Sequence, residues 1–197
     1  MASRSPIPSL VKKVCADISD WLWHFVRRGN EIHTLHTILQ QKRLKGDTDP
    51  ATGSKVVCLT EAPAGEFLKQ SSVLDKSGYK RLSEYGLGFR KVWAFERGGL
   101  PVIYQPRGLL EKLVTSLHPA HQEVLNAYRF RHVDFDPETG LDFSWEREWR
   151  IPGEVVTFVP EEIVVVVPSF AEAEGILYDI EADRDESAMC CSGVCCF

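Results

Sequence analysis

The chain has 197 residues, of which 44% are hydrophobic and 26% are charged, so one domain can bury a sizeable apolar core. Its longest apolar run, residues 163–168, is far shorter than the roughly 20 residues that a membrane-spanning helix needs. The N-terminus also lacks the apolar stretch of a secretory signal. We therefore expect a cytoplasmic protein with no membrane partner and one domain over residues 1–180.

Charge is distributed unevenly along the chain, whose formal net charge is −5. Residues 153–197 hold ten of the 28 acidic residues but only one of the 23 basic residues, Arg184, which leaves +4 on residues 1–152. A mildly basic body suits an anionic ligand. The acidic segment is typical of a solvated helix face that runs into a polar tail.

Four of the six cysteines lie within the last eight residues, at positions 190, 191, 195 and 196. A secreted disulfide framework would distribute its cysteines among the loops of the fold. Adjacent cysteines with a three-residue spacer also fit tetrahedral metal coordination poorly. We therefore expect a flexible, cysteine-rich tail over residues 181–197 and no metal site.

Hydrophobic periodicity and turn residues predict the secondary structure along the chain. The first half reads as a short helix near residues 10–18, a strand at 22–26, a helix from about 31 that ends at Gly46, a buried strand at 55–60, a short strand or loop at 85–89 and a helix at 90–97. The second half reads as a strand at 101–105, helices at 109–117 and 121–129, a hairpin or two nearby strands at 130–136 and 141–151, strands at 155–158 and 163–167, and a helix at 170–180. Separated runs of strands and helices favour an α+β fold with a mixed or split sheet.

The segment 145–151, WEREWRI, is the most informative for chemistry. On a continuous strand, side chains alternate between faces, so Glu146, Glu148 and Arg150 are expected to share one face. Two carboxylates at that spacing resist simultaneous ionisation when they are partly buried, which suits a group that accepts a proton or holds a ribose hydroxyl. An exposed ladder of alternating charges explains the same pattern equally well.

His24 lies between two aromatic residues and alternates to the face opposite both of them. It can orient a ribose by hydrogen bonding, although a lone histidine on a strand is more often structural. The glycine pattern at 85–89 lacks the third glycine of a dinucleotide-binding fingerprint, and neither a phosphate-binding GxxxxGK[ST] loop nor a GxSxG nucleophile elbow occurs.

Six short motifs occur in a fixed order: WHF at 23–25, ILQQKRLKG at 38–46, VCLTEAP at 57–63, YGLGF at 85–89, PVIY at 101–104 and WEREWRI at 145–151. In this order they resemble the abortive-infection AbiGi-type proteins of bacterial phage defence, which carry YGIG-like, PVLY-like and EREWR-like segments. More distantly, the arrangement resembles the ADP-ribosyltransferase superfamily, including DNA-modifying toxins.

The superfamily resemblance implies a split, mixed β-sheet with flanking helices, whose cleft binds NAD⁺ as substrate. It implies that His24 contacts the nucleotide, that Thr60 is the polar residue of a neighbouring strand, and that Tyr85 or Phe89 stacks on nicotinamide. Glu148 matches the late catalytic glutamate, and Glu146 is the second glutamate found in arginine-specific transferases. We expect Glu148 to stabilise the cationic ribose and Glu146 to act as general base. The pyrophosphate partner is expected to be Arg27, Arg131 or Arg150.

Two other functions remain open from the sequence. One is a catalytically inactive nucleotide sensor or antitoxin-like protein that keeps the same cleft, because AbiGi-type proteins are described as antitoxin partners. The other is a nucleic-acid-binding module, which only the net charge of residues 1–152 supports. For a transferase, the acceptor of ADP-ribose is expected to be a macromolecule, either a protein or a nucleic acid.

Overall fold

The computed structural model describes residues 19–75, 82–106, 108–182 and 193–196. The helix expected near residues 10–18 lies outside these ranges. Within them, six α-helices flank sheets that are mostly antiparallel, which confirms the predicted α+β class.

The strands are β1 (Trp21–Arg27), β2 (Arg43–Lys45), β3 (Asp47–Thr48), β4 (Lys55–Thr60), β5 (Leu82–Arg90), β6 (Leu100–Pro101), β7 (Ile103–Pro106), β8 (His132–Phe135), β9 (Glu148–Pro152), β10 (Val155–Thr157), β11 (Ile163–Val167) and β12 (Gly193–Cys196). The α-helices are α1 (Glu31–Gln41), α2 (Ala64–Asp75), α3 (Lys91–Glu96), α4 (Leu109–Ser116), α5 (Pro119–Tyr128) and α6 (Phe170–Ala182). Short 3₁₀ turns cover Arg129–Arg131, Pro137–Thr139, Ser144–Glu146 and Pro160–Glu162.

One large sheet organises the fold, with the strand order β12-β11-β5-β1-β4-β9-β6 and with β3 paired to β4. All its pairings are antiparallel except that of β11 with β12. Two small sheets complete the described structure, an antiparallel pair of β10 with β2 and a parallel pair of β7 with β8.

The large sheet has a narrow joint between β1 and β4. These two strands share a single register pair, Trp23 with Thr60. On either side of the joint the pairing is extensive, since β1 runs along β5 from Trp21 to Arg27 and β4 runs along β9 from Val56 to Thr60. The sheet therefore consists of two halves that diverge from one shared point.

The main core covers one face of both halves and joins them. Alternating residues of five strands point to this face and are nearly inaccessible, and α1 and α6 pack on them. Fully burying a leucine or phenylalanine side chain contributes roughly 1.5–3 kcal/mol, so this layer supplies the main stabilisation. Its members include Leu22, Leu35, Leu39, Val57, Leu59, Leu87, Phe89, Ile151, Ile163, Val165, Ala173 and Ile176.

A smaller apolar cluster lies on the opposite face, beneath α2. The rings of Phe25 and Phe67 stack with centroids 5.3 Å apart, and Trp145 contacts Phe67 with centroids 5.5 Å apart. Trp23 packs at the edge of the same cluster. This cluster anchors the loop that precedes β9 to the β1 half of the sheet.

The segment boundaries that differ from the sequence prediction include the end of α1 and the break between β6 and β7. The helix from about residue 31 ends at Gln41 rather than at Gly46, because Lys42 adopts a left-handed conformation with φ of 50° and the next residues pair with β10. The strand predicted at 101–105 is divided at Val102, with β6 paired to β9 and β7 paired to β8.

The expected tail is not wholly separate from the domain. Residues 193–196 form β12, which pairs in parallel with Val164–Val167 at the edge of the large sheet. Residues 183–192 and Phe197 lie outside the described residues. The flexible tail over 181–197 stays a prediction, and within that range residues 193–196 are paired with the sheet.

The glycines of the YGLGF motif allow close approach between β5 and β1. A Cβ atom on Gly86 would lie 2.4 Å from the carbonyl oxygen of His24, and one on Gly88 would lie 2.6 Å from Cζ3 of Trp23. Backbone cannot move aside as readily as a flexible side chain, so Gly86 is the stricter requirement.

We expect Gly86→Ala to destabilise the protein by about 1–3 kcal/mol, because the added methyl group forces β5 away from β1. Equilibrium unfolding in urea measures the change. Gly65→Ala in α2 is the matched control, since a methyl group added there would meet nothing within 4 Å, and no loss is expected. Equal stability of the two variants would contradict the close approach.

Candidate functional site

The joint brings together the strands of three sequence motifs. Trp23 of β1 pairs with Thr60 of β4, and Thr60 pairs in turn with Glu148 of β9. Residues that are directly opposite in antiparallel strands project to the same face of a sheet. Trp23, Thr60 and Glu148 therefore form one row across the joint, on the face opposite the main core.

His24 lies where β1 and β4 begin to diverge. It is half-buried, and its Nδ1 is 3.0 Å from the carbonyl oxygen of Cys58 in β4. The ring thus satisfies a strand carbonyl at the joint. By alternation it belongs to the face of Leu22 and Val26, opposite Glu148, so it reaches the joint from the core side.

The environment of His24 favours its neutral form. Burial lowers the pKa of the imidazole from its ordinary value of 6.5, and the hydrogen bond to Cys58 and the charge of Asp47 oppose this only in part. A carbonyl oxygen can only accept, so Nδ1 carries the proton and donates it to Cys58. The second ring nitrogen, Nε2, is then a hydrogen-bond acceptor.

Glu148 and Arg150 do share one face of β9, as predicted, and they form an ion pair. Nε of Arg150 donates to Oε1 of Glu148 at 3.1 Å, and Nη2 donates to Oε2 at 3.4 Å. The side chains are only 12% and 8% exposed, respectively. Such a two-pronged contact fixes the orientation of the carboxylate.

Arg150 is engaged on its other side as well. Its Nη1 donates to the carbonyl oxygens of Phe130 at 3.0 Å and His132 at 3.2 Å, and lies 3.3 Å from Oδ2 of Asp49. The predicted role of Arg150 as a pyrophosphate ligand does not fit this placement. Its donors bind groups of the protein, and the residue as a whole is 6% exposed.

Glu146 is not on the same strand as Glu148. The backbone amide and hydroxyl of Ser144 donate to the carboxylate of Asp142 at 2.9 and 2.6 Å, and Ser144–Glu146 forms a 3₁₀ turn. Arg147 then takes a left-handed conformation with φ of 45°. The predicted alternation before Glu148 is therefore wrong, and Glu146 is 5% exposed, which leaves little surface for an incoming nucleophile.

Thr60 fastens the loop before β9 to the joint. Its hydroxyl donates to the backbone carbonyl of Glu146 and accepts from the amide of Ala62 at 3.1 Å. The side chain is buried. Thr60 thus sets the position of the residues that lead into Glu148, and the structure does not present its hydroxyl to a ligand.

Tyr85 and Phe89 lie on the other face of the sheet from Glu148. Phe89 is fully buried and stacks on Trp93 with ring centroids 4.1 Å apart, and Tyr85 is buried in the same core. Neither ring has a surface on which nicotinamide can stack. The aromatic side chain that shares the row of Glu148 is Trp23, which rests against Gly88.

Tyr104 is a site residue that sequence reasoning missed. Its hydroxyl donates to the carbonyl of Phe143 at 2.9 Å. Burial, together with the nearby carboxylates of Glu148 and Glu146, raises its pKa to about 12, although the backbone of Glu148 acts in the opposite direction. The phenol therefore stays protonated at neutral pH. The PVIY motif contains this residue, but nothing in its pattern indicates a contact with a segment so distant in sequence.

Two general features of the described residues bear on function. They contain no group of three or more His, Cys, Asp or Glu side chains arranged to hold a metal ion. No helix among them has the length and apolar character needed to cross a membrane.

No protein-family model, curated protein or solved structure matches the chain.

We expect Arg150→Met to cost about 3–5 kcal/mol of stability, because it leaves the buried carboxylates of Glu148 and Asp49 without their counter-charge. Chemical denaturation measures the loss. Arg27→Met is the matched control, since the side chains of Arg27 and its partner Asp47 are 80% and 74% exposed and their ion pair contributes little. Similar losses of stability in both variants would contradict a large cost of leaving Glu148 and Asp49 without their counter-charge.

We expect part of the pH dependence of stability to come from His24. Its pKa is lowered in the folded state, so the unfolded chain binds the proton more readily. The stabilisation is complete above the ordinary pKa of 6.5 and is lost as the pH falls through the lower, folded-state value. His24→Asn keeps a neutral donor for Cys58 and removes the titration.

Urea unfolding at about pH 7.5 and about pH 5.5 tests this expectation. Acidification should destabilise the wild type more than His24→Asn. His33→Gln, which replaces an exposed histidine, should lose as much stability on acidification as the wild type does. An identical pH response in wild type and His24→Asn would contradict a neutral imidazole at the joint.

Proposed function

We propose that the protein is an NAD-dependent ADP-ribosyltransferase-like protein of bacterial phage defence, which binds the nucleotide where the two halves of the sheet diverge. One observation carries the proposal: the joint places the strands of His24, Thr60 and Glu148 side by side, in the order β1-β4-β9. These three strands carry the motifs on which the superfamily resemblance depends, and they are distant in sequence.

Glu148 has the charge that the reaction requires. Breaking the bond between nicotinamide and ribose develops positive charge on the ribose, and a fixed carboxylate near the 2′-hydroxyl stabilises that charge. Arg150 holds both oxygens of Glu148 in one orientation. A carboxylate held in this way needs little reorganisation as the ribose becomes cationic.

His24 provides a complementary contact from the other side of the joint. Because Nδ1 is engaged by Cys58, the neutral ring offers Nε2 as an acceptor for a ribose hydroxyl. The superfamily resemblance supports this role, and it supports a macromolecular acceptor, protein or nucleic acid, for the ADP-ribose group.

A nucleotide sensor without turnover is the second candidate. The observation that favours it is the same ion pair, since Arg150 occupies both oxygens of Glu148 and the carboxylate side chain is only 12% exposed. In a transferase the carboxylate must reach the ribose while it stays paired. In a sensor the ion pair is purely structural.

Turnover of labelled NAD⁺ separates the two candidates. We expect wild-type protein to consume NAD⁺ and to transfer label to DNA, RNA or protein, and Glu148→Gln to lower turnover by about 10²–10³ because it removes one electrostatic group. Glu148→Gln should still be stabilised on heating by ADP-ribose, since the shape of the site is kept.

Glu138→Gln is the matched control, because Glu138 is exposed on a 3₁₀ turn. This variant should consume NAD⁺ at the wild-type rate and should be stabilised by ADP-ribose as the wild type is. Nucleotide binding without any consumption of NAD⁺ supports the sensor, and normal turnover by Glu148→Gln contradicts the assignment of Glu148. Stabilisation by sulfate to the same extent as by ADP-ribose would indicate a general anion site.

A further inference from the structure

The turn between β3 and β4 binds the carboxylate of Asp49 through Thr52 and is closed by backbone hydrogen bonds. Oδ2 of Asp49 accepts hydrogen bonds from the backbone amide of Thr52 at 2.9 Å and from its hydroxyl at 2.6 Å. The amide of Asp49 donates to the carbonyl of Ser54 at 2.9 Å, and that of Gly53 donates to the carbonyl of Asp49 at 2.7 Å. Thr52 is buried, so the turn is packed into the fold.

The same oxygen of Asp49 faces Nη1 of Arg150 at 3.3 Å. Arg150 therefore lies between two carboxylates, Asp49 on one side and Glu148 on the other. The carbonyl groups of Phe130 and His132 satisfy further donors but carry no net charge. Asp49 is thus an anionic group whose attraction for the guanidinium of Arg150 acts against that of Glu148.

We propose that Asp49 is a positioning residue: through Arg150 it sets where the Glu148 carboxylate lies at the joint. The catalytic part of this inference rests on the proposed function, whereas the positional part concerns the folded protein alone. The path from Asp49 to Glu148 runs through the guanidinium of Arg150, which contacts both carboxylates.

A purely local role for Asp49 makes a different prediction. An asparagine has the same shape and keeps an oxygen that can accept from Thr52, so it can close the same turn. It removes the negative charge that attracts Arg150. If Asp49 serves only the turn, its replacement by asparagine leaves Arg150 and Glu148 in place.

Asp49→Asn in the full-length protein is the decisive variant, and Asp47→Asn is its matched control. Asp47 lies in the same hairpin and loses the same charge, but it is exposed and pairs with Arg27. NMR detects the Nε–Hε group of Arg150 and the side-chain carboxyl carbon of Glu148 directly, and each signal is assigned by its loss in Arg150→Lys and Glu148→Gln.

We expect both signals to shift in Asp49→Asn and to stay in place in Asp47→Asn. If Asp49→Asn does not fold, Thr52→Val is the second variant. It removes the hydroxyl that donates to Asp49 and accepts from the amide of Ser54 at 3.2 Å, but it keeps the charge of Asp49. It should shift both signals in the same direction by less. Unchanged signals in a folded Asp49→Asn, or in Thr52→Val if that variant is needed, would overturn the inference.

NAD⁺ turnover tests the catalytic part. For Asp49→Asn we expect kcat to fall about 10- to 100-fold with KM nearly unchanged, because a small displacement of a reacting group is costly while binding contacts remain. Shifted signals with an unchanged kcat would overturn this part. If the wild type consumes no NAD⁺, the transferase proposal fails, and the NMR comparison still decides whether Asp49 positions Glu148.

Discussion

Trp23 and Thr60 form the one register pair that joins the two halves of the large sheet. Much of the site follows from this narrow contact. Because the strands diverge beyond it, the carbonyl of Cys58 is bound by the ring of His24. Because Thr60 also pairs with Glu148, the loop before β9 is fastened to the same point.

The second constraint is a buried charge that must be neutralised. Arg150 lies in a largely inaccessible position with Glu148 and Asp49 as its anionic partners. Removing ions from water is costly, and hydrophobic replacements are often at least as stable. A buried ion pair is therefore weak evidence for a stabilising role. We infer that the pair holds one carboxylate in a defined orientation, which is the property that the proposed transferase would use.

Local pattern in the sequence was enough to predict part of the site. The apolar run at 55–60 and the shared face of Glu148 and Arg150 were correct, because strand periodicity is a property of neighbouring residues. The alternation failed at Glu146, where Ser144 donates to the carboxylate of Asp142 at the start of a 3₁₀ turn and Arg147 takes a left-handed conformation. Local hydrogen bonding of this kind overrides the strand pattern of the WEREWRI motif.

Contacts between distant segments have no such local signal. Phe89 carries the aromatic character expected of a stacking residue, but its strand register directs it into the core while Trp23 shares the face of Glu148. The motif order indicated which strands matter, and the register decided which side chains meet.

If a nucleotide binds at the joint, the ring of His24 is its most direct reporter. In a protein labelled with ¹³C at histidine, the imidazole signals can be followed by NMR during titration with NAD⁺. We predict that the signals of His24 shift and saturate with NAD⁺ but not with sulfate, while those of the exposed His33 remain unchanged. Saturable binding of NAD⁺ that leaves the His24 signals in place would contradict nucleotide binding at the joint.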